Sequence, residues 1–395
     1  MVGLLWVVAL LNYLDRQVIF SLLPLLRGEL GLTDSQIGLI GAVFLWVYAT
    51  FSLFAGWVAQ RFGHRRVILI SLGAWSMVTS FTGLSQNFLS LGLTRVALGI
   101  TEAFYIPAAL ALVTAALPEA VRSRAVSVHQ SGIYAGILLG GGPGAALGLQ
   151  FGWRNVFFLL GVIGVVYSVV LMTTLRAPIA AARTPDYLRV FRSVSHAKGF
   201  WPVFLVFAAI SFANWMVATW MPLYLFDRFQ FNLQNAGFSA TFFTQVPGLL
   251  GMAAGGFAAD RLSRTNARGR VSTQMAGLVI GGVFLLAVGA VDVAWMLLGA
   301  LMLYSVGRGI YDCNVMPVLC DVVEEHERST AYGLLNFAGT FVGGIAAYGA
   351  GALRSVIGLE GALLGAGVIV LLSAALLTRV PTTQPAGLVS VRVES

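Results

Sequence analysis

Charge is scarce in this sequence: Asp, Glu, Lys and Arg make up 10% of its 395 residues, and hydrophobic residues 58%. Soluble domains carry roughly 25% charged residues, so a water-soluble fold is excluded. Lysine is nearly missing. Lys198 is the only one, and the arginines stand singly or in short groups between apolar runs, so a net charge of +8 gives no patch for nucleic acid. Cysteine is limited to Cys313 and Cys320, both in one apolar run, where they read as small helix-packing residues rather than a disulfide. The four histidines, His64, His129, His196 and His326, fall in separate segments without metal-ligand spacing, and no Gly-Lys loop cradles a phosphate. No metal, nucleotide or other cofactor is expected, and no enzyme.

What is abundant is apolar sequence in runs of membrane-spanning length, about 20 residues each. Helices are predicted near 3–26, 35–60, 67–86, 89–117, 124–149 and 154–175, then near 201–226, 235–259, 271–291, 294–320, 329–352 and 358–378. The fold class is therefore all-α integral membrane, with twelve transmembrane helices in two groups of six. The domains read as 1–175, a polar linker 176–199, 200–380, and a tail 381–395. The first run lacks a basic start and a small-residue cleavage site, so it is expected to stay as a helix. In the linker, Tyr187, Leu188, Phe191 and Val194 share one helical face, which fits either a helix lying on the membrane surface or a solvated loop.

Loop charge sets the orientation. Arg61, Arg65, Arg66, Arg122, Arg124, Arg176, Arg183, Arg189, Arg192, Lys198, Arg261, Arg264, Arg268, Arg270, Arg328, Arg379 and Arg392 lie on one side, and only Arg27, Arg154, Arg228 and Arg354 on the other. The positive-inside rule then places both termini in the cytoplasm and the chain in the cell (inner) membrane. Three basic residues remain inside helices: Arg16, Arg95 and Arg308.

The halves look duplicated. "GITEAFYIP" (99–107) matches "GIYDCNVMP" (309–317), "GWVAQRFG" (56–63) aligns with "GFAADRLS" (256–263), and "NYLDR" (12–16) aligns more loosely with "NWMVA" (214–218). All three pairs appear in order, six helices apart. Parallel six-helix repeats with a site near the midplane are a transporter architecture.

The stretch "GWVAQRFGHRR" (56–66) resembles the loop motif of the major facilitator superfamily, except that Gln60 stands where the motif has an acid, whereas the second copy keeps Asp260. That resemblance, which covers the whole chain, implies alternating access and a gating role for Arg61, Arg65, Asp260 and Arg261, with Arg308 added as an intramembrane charge. "NYLDR", "FLWVYATFSLFAGW", "WSMVT" and "RVALGITEA" resemble the anion:cation symporters, which move organic acids such as hexonates and hexuronates with protons. "DRQVI" and "GLTDSQIGL" resemble the Spinster lipid transporters. The Asp-Arg pair of the first helix and the Arg-x6-Glu of the fourth occur in both branches.

Each intramembrane charge costs about 2.5–3.5 kcal/mol on insertion scales, so Asp15, Arg16, Arg95, Glu102, Arg308 and Asp312 need a reason to be there. Such residues face the bundle interior, pair, and mark substrate or proton paths; an ion-pair staple between helices is the plain alternative. Arg16 and Arg95 are candidates to grip a carboxylate with a planar guanidinium. Arg95 and Glu102, seven apart, share a helical face. Glu102 is the first candidate proton carrier, followed by Asp15, which fits equally well as a fixed partner of an arginine; Asp312 is the third. Arg308 and Asp312, four apart, read as a self-satisfying pair. Tyr48, Gln130, Tyr134, Asn214 and Asn314 are candidates to hydrogen-bond cargo, with helix–helix contacts an equal reading for the asparagines. His129 reads as a packing residue before a titrating one. Trp46, Tyr105, Trp215 and Trp220 fit either a cavity lining or the membrane interface.

Gly132, Gly136, Gly140 and Gly144 in the fifth helix permit close helix contact. The run "HQSGIYAGILLGGGPG" partly resembles a Gly-Pro motif associated with exchangers, but Ala145-Ala146 stands where a glycine pair is expected. The expected function is proton-coupled symport of an organic anion, a sugar acid, by a single copy of the chain in the bilayer. A Spinster-like carrier of lysolipid or sphingolipid is the alternative, and drug/proton antiport the third reading.

Overall fold

A computed structural model of the protein describes residues 1–175, 187–324 and 327–381. Among these residues every regular element is helical. The chain runs through α1 (Val2–Ser21), α2 (Leu23–Leu30), α3 (Asp34–Ser52), α4 (Ala55–Phe62), α5 (His64–Thr82), α6 (Phe88–Glu102), α7 (Tyr105–Ala116), α8 (Glu119–Phe151) and α9 (Trp153–Thr174). It continues through α10 (Tyr187–His196), α11 (Phe200–Phe229), α12 (Leu233–Ser263), α13 (Gly269–Ala290), α14 (Ala294–Asp312), α15 (Val315–Val322) and α16 (Arg328–Ala374).

Every stretch predicted to be helical is largely helical; residues 22, 53–54, 83–86, 103–104 and 313–314 are non-helical. Among the described residues, nine segments are long and apolar enough to cross a membrane, fewer than the twelve expected. One of the nine, Thr330–Arg379, contains a break at Gly358 (φ 68°, ψ 175°), a conformation that favours glycine. The segments outside the nine are the polar ones: α5 opens on His64-Arg65-Arg66, and α14 carries Arg308 and Asp312. Part of the linker, with Arg176 and Arg183, and the tail with Arg392 lie outside the described residues. In α10, Val194 is buried while Phe191 and Arg192 are exposed.

Local signals explain the helix ends. Thr33 and Gln36 form a capping box at the start of α3, and Asn87 and Ser90 do so for α6. α6 and α14 both stop on an acid, Glu102 and Asp312, and a new helix starts after two intervening residues. The cause is the same in each: Pro107 and Pro317 have no N–H for the carbonyls of Ala103 and Cys313 four residues back, and their rings crowd those carbonyls.

The described residues fall into two compact units. One lies within Met1–Pro185, Ser211–Gln245 and Asn336–Ala362, the other within Asp186–Ile210, Val246–Leu335 and Leu363–Ser395. In the first, α8 lies against α1 along the predicted glycine stripe. A Cβ at Gly132 would come within 2.6 Å of the Trp6 carbonyl oxygen, one at Gly140 within 2.8 Å of Gln17 Cβ, and one at Gly136 would overlap the Leu10 carbonyl. Phe44, Tyr48, Trp75 and Tyr105 belong to the core beside them. Tyr105 donates to the Leu5 carbonyl (2.8 Å) and meets His129 Nε2 (2.9 Å), so buried His129 packs against the aromatic core.

The repeat has a structural counterpart. Gly99 of α6 faces the Phe44 carbonyl of α3 (2.9 Å to a Cβ), and in the second unit its sequence equivalent Gly309 of α14 abuts the Gly248 carbonyl of α12. The four arginines on the sparsely basic side all meet carboxylates. Arg27 Nη1 contacts Asp227 Oδ2 (2.7 Å), Arg154 Nη2 contacts Glu29 Oε1 (3.1 Å), and Arg228 Nε contacts Glu360 Oε1 (3.3 Å). Arg354 reaches both Asp34 Oδ1 and Asp227 Oδ2 at 2.7 Å. On the strongly basic side, Arg65 closes the end of α9 by donating to the Leu175 and Met172 carbonyls at 2.6 and 2.5 Å. Nearby His64 is held below its ordinary pKa by burial, which keeps it neutral at pH 7.

Replacing Gly136 by leucine forces α8 away from α1, because backbone and not a movable side chain blocks the space. Overpacking of this kind is expected to cost about 1–3 kcal/mol, measurable as a lowered melting temperature of the purified protein in detergent. Gly299→Leu, where a Cβ meets nothing within 4 Å, is expected to melt like the parent.

Candidate functional site

The charged residues of α1 and α6 converge inside the first unit. α1 brings Asn12, Asp15 and Arg16, α5 brings Thr79, and α6 brings Arg95 and Glu102; each is at most 5% exposed. Arg16 Nε donates to Glu102 Oε2 at 2.5 Å. Its guanidinium also lies over three rings, with centroids at 4.2 Å (Tyr48), 4.9 Å (Tyr13) and 5.1 Å (Phe44). Such cation–π contacts gain strength where water is excluded. Asp15 is held by Thr79, whose hydroxyl donates to Asp15 Oδ2 at 3.1 Å.

Arg95 differs from Arg16. It stacks on Phe44 (4.7 Å), but its Nε and Nη2 have no hydrogen-bond partner among the described residues. The same holds for Asn12 Nδ2 and Oδ1, Asp15 Oδ1, Arg16 Nη2 and Glu102 Oε1. A buried polar atom left unmatched costs about 1–3 kcal/mol, and the cluster gathers several donors and acceptors that the described side chains do not fully match.

The cluster holds as many carboxyls, Asp15 and Glu102, as guanidiniums, Arg16 and Arg95.

The seven-residue spacing of Arg95 and Glu102 does put them on one side of α6, but separates them by about 10.5 Å of helix rise. Glu102 therefore pairs across helices, with Arg16. Tyr48 joins the cluster under Arg16. Gln130 is half-buried on α8 with its Oε1 unmatched, and Tyr134 and Asn214 are half-buried with contacts of their own. Asn314 is turned to its own helix break, donating to the Ile310 carbonyl (3.3 Å) and Cys313 Sγ (3.2 Å). Arg308 Nε and Asp312 Oδ2 stand 3.5 Å apart in the second unit. Arg61, Asp260 and Arg261 are exposed. Trp46 and Trp220 donate to the Phe341 (3.0 Å) and Ala347 (2.9 Å) carbonyls.

Four members of the cluster were not singled out from sequence. Asn12 had a signal, one turn before Arg16 within "NYLDR", and so did Thr79, the last residue of "WSMVT". Tyr13 and Phe44 also stand in quoted stretches, "NYLDR" and "FLWVYATFSLFAGW", but nothing in a sequence separates an aromatic beneath a guanidinium from one in the core.

If the Arg16–Glu102 pair holds the cluster together, Arg16→Ala leaves Glu102 buried and unpaired. A loss of about 3–5 kcal/mol is expected, and adding Glu102→Gln should recover much of it. A thermal-melting double-mutant cycle with no coupling between the two sites would refute the pairing.

The family model described as Major Facilitator Superfamily matches residues 5–348, with a further match over 268–393. A hexuronate transporter of Bacillus subtilis is 26% identical over 363 residues, 86% of this chain and 84% of that protein. A probable galactarate/D-glucarate transporter of Escherichia coli is 25% identical over 410 residues, covering 94% and 90%. The crystal structure of a bacterial homologue of the human lysosomal transporter Spinster, inward-facing and occupied, superposes with a TM-score of 0.85 at 20% identity, over 98% of each chain. The chain belongs to the major facilitator superfamily, and its relatives include transporters of sugar acids.

Proposed function

From that membership and the charge cluster, we propose that the protein is a twelve-helix secondary transporter of the cell membrane. Its termini are cytoplasmic, and as a monomer it carries an organic anion, a sugar acid, together with a proton by alternating access between its two six-helix halves. The observation that carries this reading is the buried cluster in which Arg16 is committed to Glu102 while Arg95 has unmatched guanidinium N–H groups. Hexuronate and galactarate/D-glucarate transporters among the relatives support the cargo class.

The sequence of events follows from charge. Arg95 offers its fork to the cargo carboxylate. A proton arriving at Glu102 removes the negative partner of Arg16, and the freed positive charge balances the anion. When the proton leaves, Glu102 reclaims Arg16 and the anion loses its counter-charge. Asp15, held by Thr79, is the second carboxyl of the cluster. In this reading the alternating motion also opens the Arg27–Asp227–Arg354–Asp34 chain, which joins α2 and α3 to α11 and α16.

In proteoliposomes, an inward proton gradient is expected to drive accumulation of labelled D-glucuronate. Uptake that ignores the gradient, with lysophosphatidylcholine flux responding to it, would favour the lipid-carrier reading. Glu102→Gln is expected to lose gradient-driven accumulation and keep counterflow exchange. Arg95→Lys keeps the charge but not the fork, and a roughly tenfold or greater rise in KM is expected; an unchanged KM would remove Arg95 from the anion site. Arg354→Ala cuts two ion pairs and is expected to raise labelling of a cysteine placed at Gln36 by a membrane-impermeant maleimide added from outside.

A further inference from the structure

The internal repeat places a second carboxyl in the position of Glu102. Gly99-Ile-Thr-Glu102 and Gly309-Ile-Tyr-Asp312 align without a gap, and so do Pro107 and Pro317. The structure repeats the local design as well as the letters. Each acid is the last residue of its helix, each helix breaks over the next two residues, and each restarts with a proline at its third position. Each equivalent glycine, Gly99 or Gly309, lies against the backbone of the neighbouring helix.

This design suits a carboxyl that changes protonation. The carbonyls of Ala103 and Cys313 lose their helical donors to the prolines, so an acceptor for a carboxylic O–H stands one residue away from each acid. Each acid also has an arginine as counter-ion when ionised: Arg16 for Glu102 at 2.5 Å, and Arg308 for Asp312 at 3.5 Å. Gly248 makes room for the second guanidinium, since a Cβ there would lie 3.1 Å from Arg308 Nη2.

The two sites differ in access. The Glu102 side chain is 0% exposed and that of Asp312 is 37% exposed. That exposure lies on a different face of α14 from its exposed apolar residues. The exposed apolar residues of α14, Trp295, Met296, Met302 and Leu303, centre roughly 130° around the helix from Asp312 at 100° per residue.

We propose that Asp312 is a second proton-binding carboxyl, built on the plan of Glu102, with Arg308 as its counter-ion. Other ionisable groups near it are few. α14 itself supplies Arg308, Tyr304 and Tyr311, with Cys313 at the break. From α12, Asp260 acts on the adjacent Cys313 thiol, and from α13, Arg270 is engaged by Asp321 at 3.5 Å. The proposal rests on proton coupling through Glu102 for its transport consequence: the proton at Asp312 is additional to the one taken by Glu102, so two protons instead of one accompany each cargo molecule.

Two measurements on the full-length protein test it. In pH-difference infrared spectra, the wild type is expected to show a protonated-carboxyl C=O band that Asp312→Asn and Asp312→Ser both lack and Asp312→Glu retains; an undiminished band in the neutral variants overturns the proposal. In proteoliposomes with labelled D-glucuronate, the reversal pH gradient is expected to give one proton fewer per cargo molecule in Asp312→Asn than in wild type, with exchange preserved. A ratio equal to wild type overturns the coupling role of Asp312, as does loss of exchange in both neutral variants. A wild type that accumulates no sugar acid under any proton gradient refutes the transport reading instead, while the infrared result still decides whether Asp312 binds a proton.

Discussion

The ion pair between Arg16 and Glu102 is what the rest of the first unit is arranged around. Two full charges in the middle of apolar helices are tolerable only if they meet, and they belong to helices 86 residues apart in sequence. Close approach must therefore be enforced elsewhere. Glycines of α8 let α1 come to backbone contact, and Gly99 does the same for α6 against α3, which carries Phe44 and Tyr48 under the guanidinium. Strong local packing and weak polar satisfaction coexist there: the helices are locked, and the polar atoms between them are left incomplete. That combination is expected of a binding site, where rigid walls hold donors and acceptors ready for a ligand to complete.

Duplication links this site to the second half of the chain. The break after Glu102 and the break after Asp312 have one cause, a proline five residues on, so the repeat conserves a backbone device rather than a side-chain inventory. Arg95 has no arginine at the equivalent position, which is Ser305, and Arg308 matches Leu98 instead. The halves therefore share an acid at a helix break and differ in where the cation stands. A similar economy governs the ends of the helices. All four arginines that depart from the positive-inside pattern are neutralised by carboxylates, which is why so few of them can sit there without disturbing the orientation signal.

Much of the architecture was legible in the sequence. Apolar runs of spanning length, the glycine spacing in α8 and the two Pro-linked motifs are local properties of the chain, and local properties survive folding. The span count was less secure, because α5 and α14 trade apolarity for charge and one long helical stretch hides a break at Gly358. In the cluster, charged residues announced themselves through their cost in lipid. Tyr13, Phe44 and Thr79 carry no such cost, since their residue types are ordinary for membrane helices.

The sequence by itself determined that this chain lives in a membrane, that its halves are related, and which charged side chains must be buried. Only tertiary structure decided who partners whom. Spacing along α6 aligned Arg95 with Glu102, yet two turns of helix hold them too far apart to touch, so the choice passed to the neighbouring helices. The rotation of α1 against the glycines of α8 turns Arg16 to Glu102 and Asp15 to Thr79, and leaves Arg95 over Phe44 with nitrogens to spare. Pairing in a membrane interior is set by helix rotation and separation, and those are properties of the packed bundle, which no single segment encodes.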